Sequence, residues 1–380
     1  MQFREVVGQQ AAKNGIIHAV ISGKLPHAML LLGREGTGGL PLALAVAQYL
    51  FCEKPTETDS CGSCPACGKM ARLEHPDLHL SYPVIKPEKV KSENLTADVF
   101  GKEFRKFVHH NAYDTIYNWL QAIDAGNKQG NIPAAECRKI IEKLSFKPFE
   151  GDKKVLILWG AEYLDKEGNM LLKLIEEPPA GTHMIFIGSL AEEILPTILS
   201  RVQTVRLPPL SNDEIITALQ EKGIAGDARS ASLAAINAEG SFGEALQLAA
   251  GGGDDLFPQF RDWFNAIYTG KGIFLTTFAD TLSKQGRESA RAFLQYATHL
   301  LQAALVQHYA PGAPLHFPAE EADFIRRLAG HKSTSVESIS AMSEALAHTA
   351  HSIEGNANAK IQLHALGIQL ARIAKGAVAA

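Results

Sequence analysis

Residues 28–51 read AMLLLGREGTGGLPLALAVAQYLF, and this stretch decides the fold. The apolar run Ala28–Gly33 leads into a loop that is rich in glycine, and the apolar stretch Leu40–Phe51 follows that loop. The first run has the length of a strand, and the second has the length of a buried helix. Together they predict the strand, loop and helix that open an α/β sheet.

Four more short apolar runs resemble the first in length and in their polar or glycine boundaries: Leu78–Tyr82, Val155–Trp159, Met184–Gly188 and Thr204–Leu207. Runs of this type, interleaved with helical stretches, predict a parallel sheet that is covered on both faces. After Leu210 the strand pattern stops. Ser211 and Glu214 have the spacing of a capping box, which predicts a helix through Glu221 that ends before Gly223.

The glycine loop has the spacing of a phosphate-binding loop, G-x-x-x-x-G-K-[ST], but lacks its two chemical groups. Its glycines are Gly33, Gly36, Gly38 and Gly39. Gly39 stands where a lysine would neutralise phosphate, and Leu40 stands where a hydroxyl would ligate Mg²⁺. Backbone N–H groups at a helix start can still bind an anion, but we expect no ATP hydrolysis. The alternative is a glycine-rich turn that never held phosphate.

A second position supports the interpretation of an inactive nucleotide site. In a hydrolysing protein of this type, acidic residues that hold Mg²⁺ would follow the strand that ends at Leu158. This chain has Trp159 and Gly160 there, and the next carboxylate is Glu162. A tryptophan side chain cannot bind a metal ion in that place. Two separate losses, each where hydrolysis needs a group, predict that the site is inactive.

Four of the five cysteines lie close together in the sequence, at Cys52, Cys61, Cys64 and Cys67. Two overlapping C-x₂-C turns bring thiolates to one side of a tight knuckle, and four thiolates form a closed tetrahedral zinc site without a catalytic position. An iron–sulfur cluster and free thiols are the alternatives. The fifth, Cys137, is isolated in a helical stretch, and we expect no ligand role for it.

Composition sets the broad class of protein. The 380 residues include 37 Lys and Arg against 41 Asp and Glu, a net charge of −4, so any nucleic-acid contact needs a local basic surface. Hydrophobic residues make up 46% and charged residues 21%, as in soluble proteins of two or three domains. No apolar run approaches the roughly 20 residues of a membrane helix. We therefore expect a cytoplasmic protein without membrane contact.

Four segments together resemble the AAA+ ATPases of bacterial clamp loaders. They are Phe3–Gln9, Leu25–Ala28, Leu171–Pro179 and Leu195–Arg201. The resemblance implies a RecA-like AAA+ domain, and the substituted glycine loop resembles the delta-prime branch of this DNA polymerase III family rather than its ATP-hydrolysing members. It also implies a hetero-pentamer with ATPase subunits and a delta-type subunit, which loads a sliding clamp onto primed DNA.

The resemblance gives a role to Arg201 in Ser200-Arg201-Val202. The family has Ser-Arg-Cys, so Val202 departs from the pattern while Arg201 keeps it. By similarity, Arg201 would reach the γ-phosphate bound in a neighbouring ATPase subunit, as an arginine finger supplied in trans. The alternative is an ordinary surface ion pair. The ATP-binding relatives would also have an arginine where Gly243 stands.

We therefore predict three domains. Residues 1–208 form the AAA+ domain, with a zinc module at about 52–68 and a helical insertion at about 86–130. Residues 209–250 form a small helical lid, and residues 251–380 form an all-α collar that joins the ring. Three hypotheses remain open: a non-hydrolysing loader subunit, an autonomous ATPase that uses residues such as Arg34 and Glu162, and a zinc-stabilised adaptor unrelated to replication.

Overall fold

A computed structural model describes residues 1–87, 92–126, 128, 130–225, 228–250, 256–312, 315, 317, 319–330, 335–354 and 357–375. The chain divides into two compact units. The first comprises Met1–Gly223 and Ala238–Gln247, and the second comprises Ile224–Asn237 and Leu248–Ala380. Each unit has its own apolar core, so each is described by itself.

The first unit is built on a five-stranded sheet. Its strands are β1 (Ala28–Leu32), β2 (Leu78–Ser81), β3 (Lys154–Trp159), β4 (Thr182–Gly188) and β5 (Gln203–Arg206). The strand order is β2-β3-β4-β1-β5, and every neighbouring pair is parallel. All five predicted strands are therefore confirmed, each within two residues of its predicted ends.

Helices cover both faces of this sheet, because alternate side chains of the central strands enter two different cores. On β1, Met29 and Leu31 belong to one apolar cluster, and Leu30 belongs to the other. On β3, Trp159 lies on the same face as Met29, in the cluster that includes the helix after the glycine loop. This alternation explains why the central strands β1, β3 and β4 consist mostly of apolar residues.

The helices of the first unit connect these strands and flank them. They are α1 (Gln10–Ile21), α2 (Gly39–Phe51), α3 (Pro65–Ala71), α4 (Gly101–His110), α5 (Ile116–Ala122), α6 (Ala134–Ser145), α7 (Leu172–Glu176), α8 (Pro196–Leu199) and α9 (Asn212–Glu221). The predicted capping box is confirmed, since Ser211 and Glu214 cap α9 reciprocally. Gly223, which follows α9, has φ +63°, as the predicted helix end requires.

The second unit is helical wherever the structure describes it. Its helices are α10 (Ala228–Asn237), α12 (Leu256–Thr269), α13 (Gly272–Lys284), α14 (Arg287–Tyr309), α15 (Ala319–Gly330), α16 (Val336–Glu354) and α17 (Ala359–Ala374), while α11 (Phe242–Ala250) begins in the first unit. Among the described helices, none is both long enough and apolar enough to cross a membrane.

The predicted division into three domains stays a prediction. Within the stretch 209–250, α9 belongs to the first unit and α10 belongs to the second. The predicted boundary between lid and collar falls at residues 251–255, which lie outside the described part of the chain. In the described part of the stretch 86–130 lie the α-helices α4 and α5 and the short 3₁₀ helices Ser92–Asn94 and Ala97–Phe100.

Candidate functional site

The glycine loop lies at the carboxyl end of β1, between β4 and β5. In the strand order β2-β3-β4-β1-β5, the connection that follows β1 leads to β2 at one side of the sheet. The connection that follows β4, the neighbour of β1, leads to β5 at the other side. Connections that diverge in this way open a crevice at the carboxyl ends of parallel strands, where ligands of open α/β sheets bind. The loop is therefore placed where a nucleotide site would be.

The space in this crevice is very small. A cavity of about 20 Å³ lies against the loop glycines Gly33, Gly36, Gly38 and Gly39. Segment 112–116 closes it from one direction, and Trp159 with Gly160 closes it from another. One water molecule needs roughly 10–15 Å³ when volume is measured this way, and a ligand pocket holds hundreds. The crevice therefore has room for about one water molecule and none for a nucleotide.

Close packing within the chain explains the glycines of the loop. Gly36 has φ +78° and Gly38, which caps α2, has φ +110°, a backbone region that L-residues with a side chain rarely adopt. A Cβ atom at Gly33 would lie 2.5 Å from the Leu207 carbonyl oxygen. A Cβ atom at Gly39 would lie 2.8 Å from Ile187. Glycine is thus required at positions 33, 36 and 38 whether or not the loop ever held phosphate, whereas a side chain at position 39 needs only a small shift of the Ile187 methyl group.

The positions that should carry catalytic groups are apolar or filled. Leu40 and Trp159 are buried, with 3% and 5% of their surface exposed. Gly160 has φ +81°, and a Cβ atom there would lie 2.7 Å from Cδ1 of Ile116. A magnesium-binding acid at position 160 would therefore meet an isoleucine side chain.

Arg34 and Glu162, the residues considered for an autonomous ATPase, have other partners. The Arg34 guanidinium lies 3.3 Å from carboxylate oxygens of both Glu239 and Glu244. The Glu162 Oε1 atom accepts a hydrogen bond of 3.0 Å from the Ser189 backbone N–H. Burial raises the pKa of Glu162, which favours its neutral form. Arg34 is thus held by two carboxylates, whereas Glu162 lines the small cavity and its buried Oε2 atom has no hydrogen-bond partner among the described residues.

Tyr113 and Ile116 line the crevice and were missed by the sequence reasoning. The Tyr113 hydroxyl accepts a hydrogen bond of 2.7 Å from the Val7 backbone N–H, and burial raises the pKa of this phenol. The Ile116 backbone N–H donates to Glu35 Oε1 at 2.9 Å. These residues lie far from the loop in sequence, and the density of aromatic residues around them was the one available signal.

Arg201 follows α8 on the surface of the first unit. Its Nε atom lies 2.5 Å from Glu176 Oε1, and its Nη1 atom donates to the Thr197 carbonyl oxygen at 2.9 Å and to Ser200 Oγ at 3.0 Å. The side chain is 34% exposed. The ion pair considered as the alternative is therefore present. It leaves the guanidinium partly open to solvent.

Arg201 lies near the amino-terminal ends of the parallel strands, and the glycine loop lies at their carboxyl-terminal ends. Arg201 precedes β5, whose first residue Gln203 pairs with Met29, whereas Gly33 follows the end of β1. Because the two strands are parallel, four residues of strand separate these levels, or roughly 13 Å at about 3.3 Å per residue. Arg201 therefore cannot act on a ligand at its own glycine loop.

The four clustered cysteines meet in space, as predicted. Their sulfur atoms all lie within 4.8 Å of one another, and those of Cys61 and Cys67 are 3.9 Å apart. Zinc–sulfur bonds of about 2.3 Å in a tetrahedron place sulfur atoms roughly 3.8 Å apart, so this cluster could bind a metal ion with little movement. Cys137 is fully buried and lies outside the cluster.

Backbone N–H groups point at these sulfur atoms, as they do around bound thiolates. Cys61 N–H donates to Cys52 Sγ at 3.2 Å, and Cys64 N–H donates to Cys61 Sγ at 3.4 Å. Hydrogen bonds from the Ser63 and Cys64 backbones lower the pKa of Cys61 to about 6, whereas burial raises the pKa of Cys52 and Cys67. A cation would displace the remaining protons, since the thiolate is the ligand form.

The cysteine knuckle is tied to the start of the chain. Gln2 Nε2 donates to the Ser60 carbonyl oxygen at 2.6 Å. The Asp59 carboxylate accepts from the Phe3 and Arg4 backbone N–H groups at 3.0 and 3.1 Å. Gly62 has φ +72°, as the predicted tight turn requires. A metal ion here would therefore fix the knuckle and the first residues together.

The fold and the site define a class: an α/β protein with a parallel sheet and a glycine-rich loop between its first strand and the helix α2. A family model described as DNA polymerase III, delta subunit, matches residues 8–211, which is more than half of the chain. The chain belongs to this family.

Individual relatives agree with this assignment. The delta' subunit of Escherichia coli DNA polymerase III is 28% identical over 316 residues, which is 83% of this chain and 79% of that protein. The gamma subunit of Buchnera aphidicola is 24% identical over 251 residues, which is 65% of this chain and 56% of the relative. A solved Thermotoga maritima protein related to the gamma subunit covers 96% of this chain at 14% identity, with a TM-score of 0.40, a likeness too weak to support an inference.

Gly243→Ala tests the packing of the crevice. Alanine ordinarily stabilises a helix by up to about 1 kcal/mol relative to glycine. A Cβ atom at Gly243 would instead lie closer than 3.0 Å to the Tyr113 carbonyl oxygen. We expect a loss of about 1–3 kcal/mol in the free energy of unfolding, as for other overpacked sites, measured by urea denaturation.

Gly15→Ala is the matched control, because Gly15 lies within α1 of the same unit and its Cβ would meet nothing within 4 Å. It should gain stability. If Gly243→Ala gains as much, the described closeness to Tyr113 is wrong.

Proposed function

We propose that this chain is the non-hydrolysing, delta-prime-type subunit of a bacterial DNA polymerase III clamp loader, with an AAA+ first domain. In this role it acts through assembly with ATPase subunits and a delta-type subunit in a hetero-pentamer. The complex loads a sliding clamp onto primed DNA. The chain supplies Arg201 to the ATP bound by a neighbour.

One observation carries the proposal: the cavity at the glycine loop holds only about 20 Å³, and the chain's own Tyr113, Ile116 and Trp159 line it. Family membership makes a DNA polymerase III role the starting point, and gamma and tau relatives include hydrolysing members of the loader. The filled crevice, together with Gly39, Leu40, Trp159 and Gly160, favours the non-hydrolysing type. An adaptor unrelated to replication has no support from the family assignment.

The position of Arg201 supports a role in trans. Arg201 lies near the amino-terminal ends of the strands, away from the glycine loop at their carboxyl-terminal ends, and one third of its side chain is exposed. A guanidinium is always charged and matches phosphate oxygens in geometry, so a neighbour's triphosphate is a fitting partner. Glu176 would hold the guanidinium until that partner is docked.

We propose zinc as the ion of the cysteine cluster, with a structural role. Four sulfur ligands close the coordination shell, which leaves no position for a reacting water. When bound, the ion would supply fixed geometry to the knuckle at 52–68 and its contacts with residues 1–5.

The isolated full-length chain tests the loss of nucleotide chemistry. We expect no heat of binding in calorimetry, and no phosphate release, at MgATP concentrations up to roughly 1 mM, the upper end of ordinary KM values. Binding in the micromolar range with Mg²⁺-dependent turnover would instead favour the autonomous ATPase. In that case Arg34→Ala or Glu162→Gln should abolish the turnover.

Arg201→Ala in the reconstituted loader tests the finger. A trans arginine is worth roughly 10³–10⁵ in hydrolysis rate at its site. The ATPase site next to this subunit should therefore stop hydrolysing ATP. The clamp- and DNA-stimulated ATP turnover of the loader should fall by the contribution of that one site. Arg206→Ala, five residues along on the exposed end of β5, is the matched control and should leave turnover unchanged. Full turnover by an intact ring with Arg201→Ala would refute the finger.

Elemental analysis of untagged protein tests the metal. We expect about one zinc ion per chain, lost in Cys64→Ala and kept in Cys137→Ala, since the second cysteine is buried outside the cluster. Removal of zinc by a chelator should lower the melting temperature of the wild type. Iron with visible absorption would favour the iron–sulfur alternative, and a metal-free wild type would refute the site.

A further inference from the structure

The insertion at about 86–130 was left without a role by the sequence, and it reaches the glycine loop. Between α4 and α5, residues 112–114 and Ile116 of the segment 111–116 line the small cavity at the glycine loop. Within it, Ala112, Tyr113 and Ile116 are buried, with 7%, 6% and 3% of their surface exposed.

We propose that segment 111–116 is a built-in plug, which occupies the nucleotide crevice in place of a nucleotide. The plug holds the first unit in one state whether or not ATP is present. The proposal concerns the isolated chain, and it deepens the proposed non-hydrolysing function by giving a positive reason for the closed crevice.

Direct contacts join the plug to the loop. The Tyr113 ring lies over Gly38, since a Cβ atom added to that glycine would be 3.5 Å from Tyr113 Cε1. The Tyr113 hydroxyl is bonded to Val7, and its ring packs edge-on against Phe242 with 4.9 Å between centroids. The Ile116 N–H is bonded to Glu35 of the loop. The plug is thus fixed from several sides, as a bound ligand would be.

The positions that lost catalytic groups are the positions that the plug uses. Ile116 packs onto Gly160, where a hydrolysing relative would have an acid. The Tyr113 carbonyl packs onto Gly243, where ATP-binding relatives would have an arginine. A side chain at either glycine would collide with the segment. The two glycines therefore make room for the plug in addition to removing chemistry.

Trp159 anchors the insertion that carries the plug. Its ring centroid lies 6.0 Å from that of Phe104 and 6.1 Å from that of Phe107, both on α4. Trp119 of α5 is fully buried in the same aromatic cluster and donates from Nε1 to the Pro83 carbonyl oxygen at 2.8 Å. The residue that replaces a magnesium ligand thus holds the insertion against the sheet.

An internal plug has an advantage over a bound molecule. A separate ligand loses translational and rotational freedom when it binds, whereas a tethered segment has already lost most of it. Its occupancy also does not depend on the ATP concentration. A subunit that presents a fixed surface to its neighbours throughout an ATP cycle would use such a device.

Hydrogen exchange of the full-length chain tests the contact. Tyr113→Ala should speed exchange at residues 33–41 by at least about tenfold and leave the cysteine knuckle unchanged. Tyr117→Ala, four residues along and 42% exposed, is the matched control and should change neither region. If Tyr113→Ala does not fold, Ile116→Val serves in the same comparison. Unchanged exchange at 33–41 in the folded plug variant would overturn the proposal.

Nucleotide binding tests the consequence. Two variants of the full-length chain are compared. Both have Gly39→Lys and Leu40→Thr, which restore the cation and the hydroxyl of a phosphate-binding loop. One variant keeps residues 111–116, and in the other a Gly/Ser linker of equal length replaces them. By calorimetry with MgATP, the linker chain should bind at least about tenfold more tightly. Equal affinity, or binding by neither chain, would overturn the plug. The Arg201 assay is unaffected by either result, so the two proposals can fail separately.

Discussion

The parallel pairing of β1 with β5 is the constraint on which the rest of the site depends. The glycine loop follows β1 and therefore lies at the carboxyl-terminal ends of the strands. Arg201 precedes β5 and therefore lies near their amino-terminal ends. The loop and the arginine therefore cannot meet within one chain. The proposed contact of Arg201 with a nucleotide would therefore have to be made across an interface with another subunit.

Local patterns made much of this structure predictable. Strands β1, β3 and β4 are short apolar runs with alternate residues in two cores, so their sequence predicted them directly. The Ser211 cap and the cysteine spacing act over three to nine residues, a range in which a sequence restricts its own geometry directly. The glycine loop was also placed correctly, because a strand, a turn and a helix in sequence leave few alternatives.

Contacts between distant segments could not be predicted in the same way. Tyr113 lies over Gly38 because α4 packs on Trp159, α5 packs on α4 through Trp119, and the segment between the two helices returns to the loop. Nothing in the local sequence at 111–116 marks it as a ligand of the loop. The sequence identified the missing acidic side chain at Gly160, because the position follows a recognisable strand. It could not identify Ile116 as the residue that packs there, because that contact joins distant segments.

The substitutions at the crevice are best understood together. A nucleotide-binding protein that merely lost its lysine and its acidic residues would keep an open crevice, and its loop backbone would be exposed to water. It would also lose the stability that a bound nucleotide gives to the folded state. Here Trp159 packs against α4 of the insertion, and Gly160 and Gly243 leave room for Ile116 and for the Tyr113 carbonyl group. Burial of Tyr113 and Ile116 stabilises the loop through apolar area that a polar, solvated site could not offer. Trp159, Gly160 and Gly243 therefore lack acidic or basic side chains and at the same time let the insertion pack against the loop.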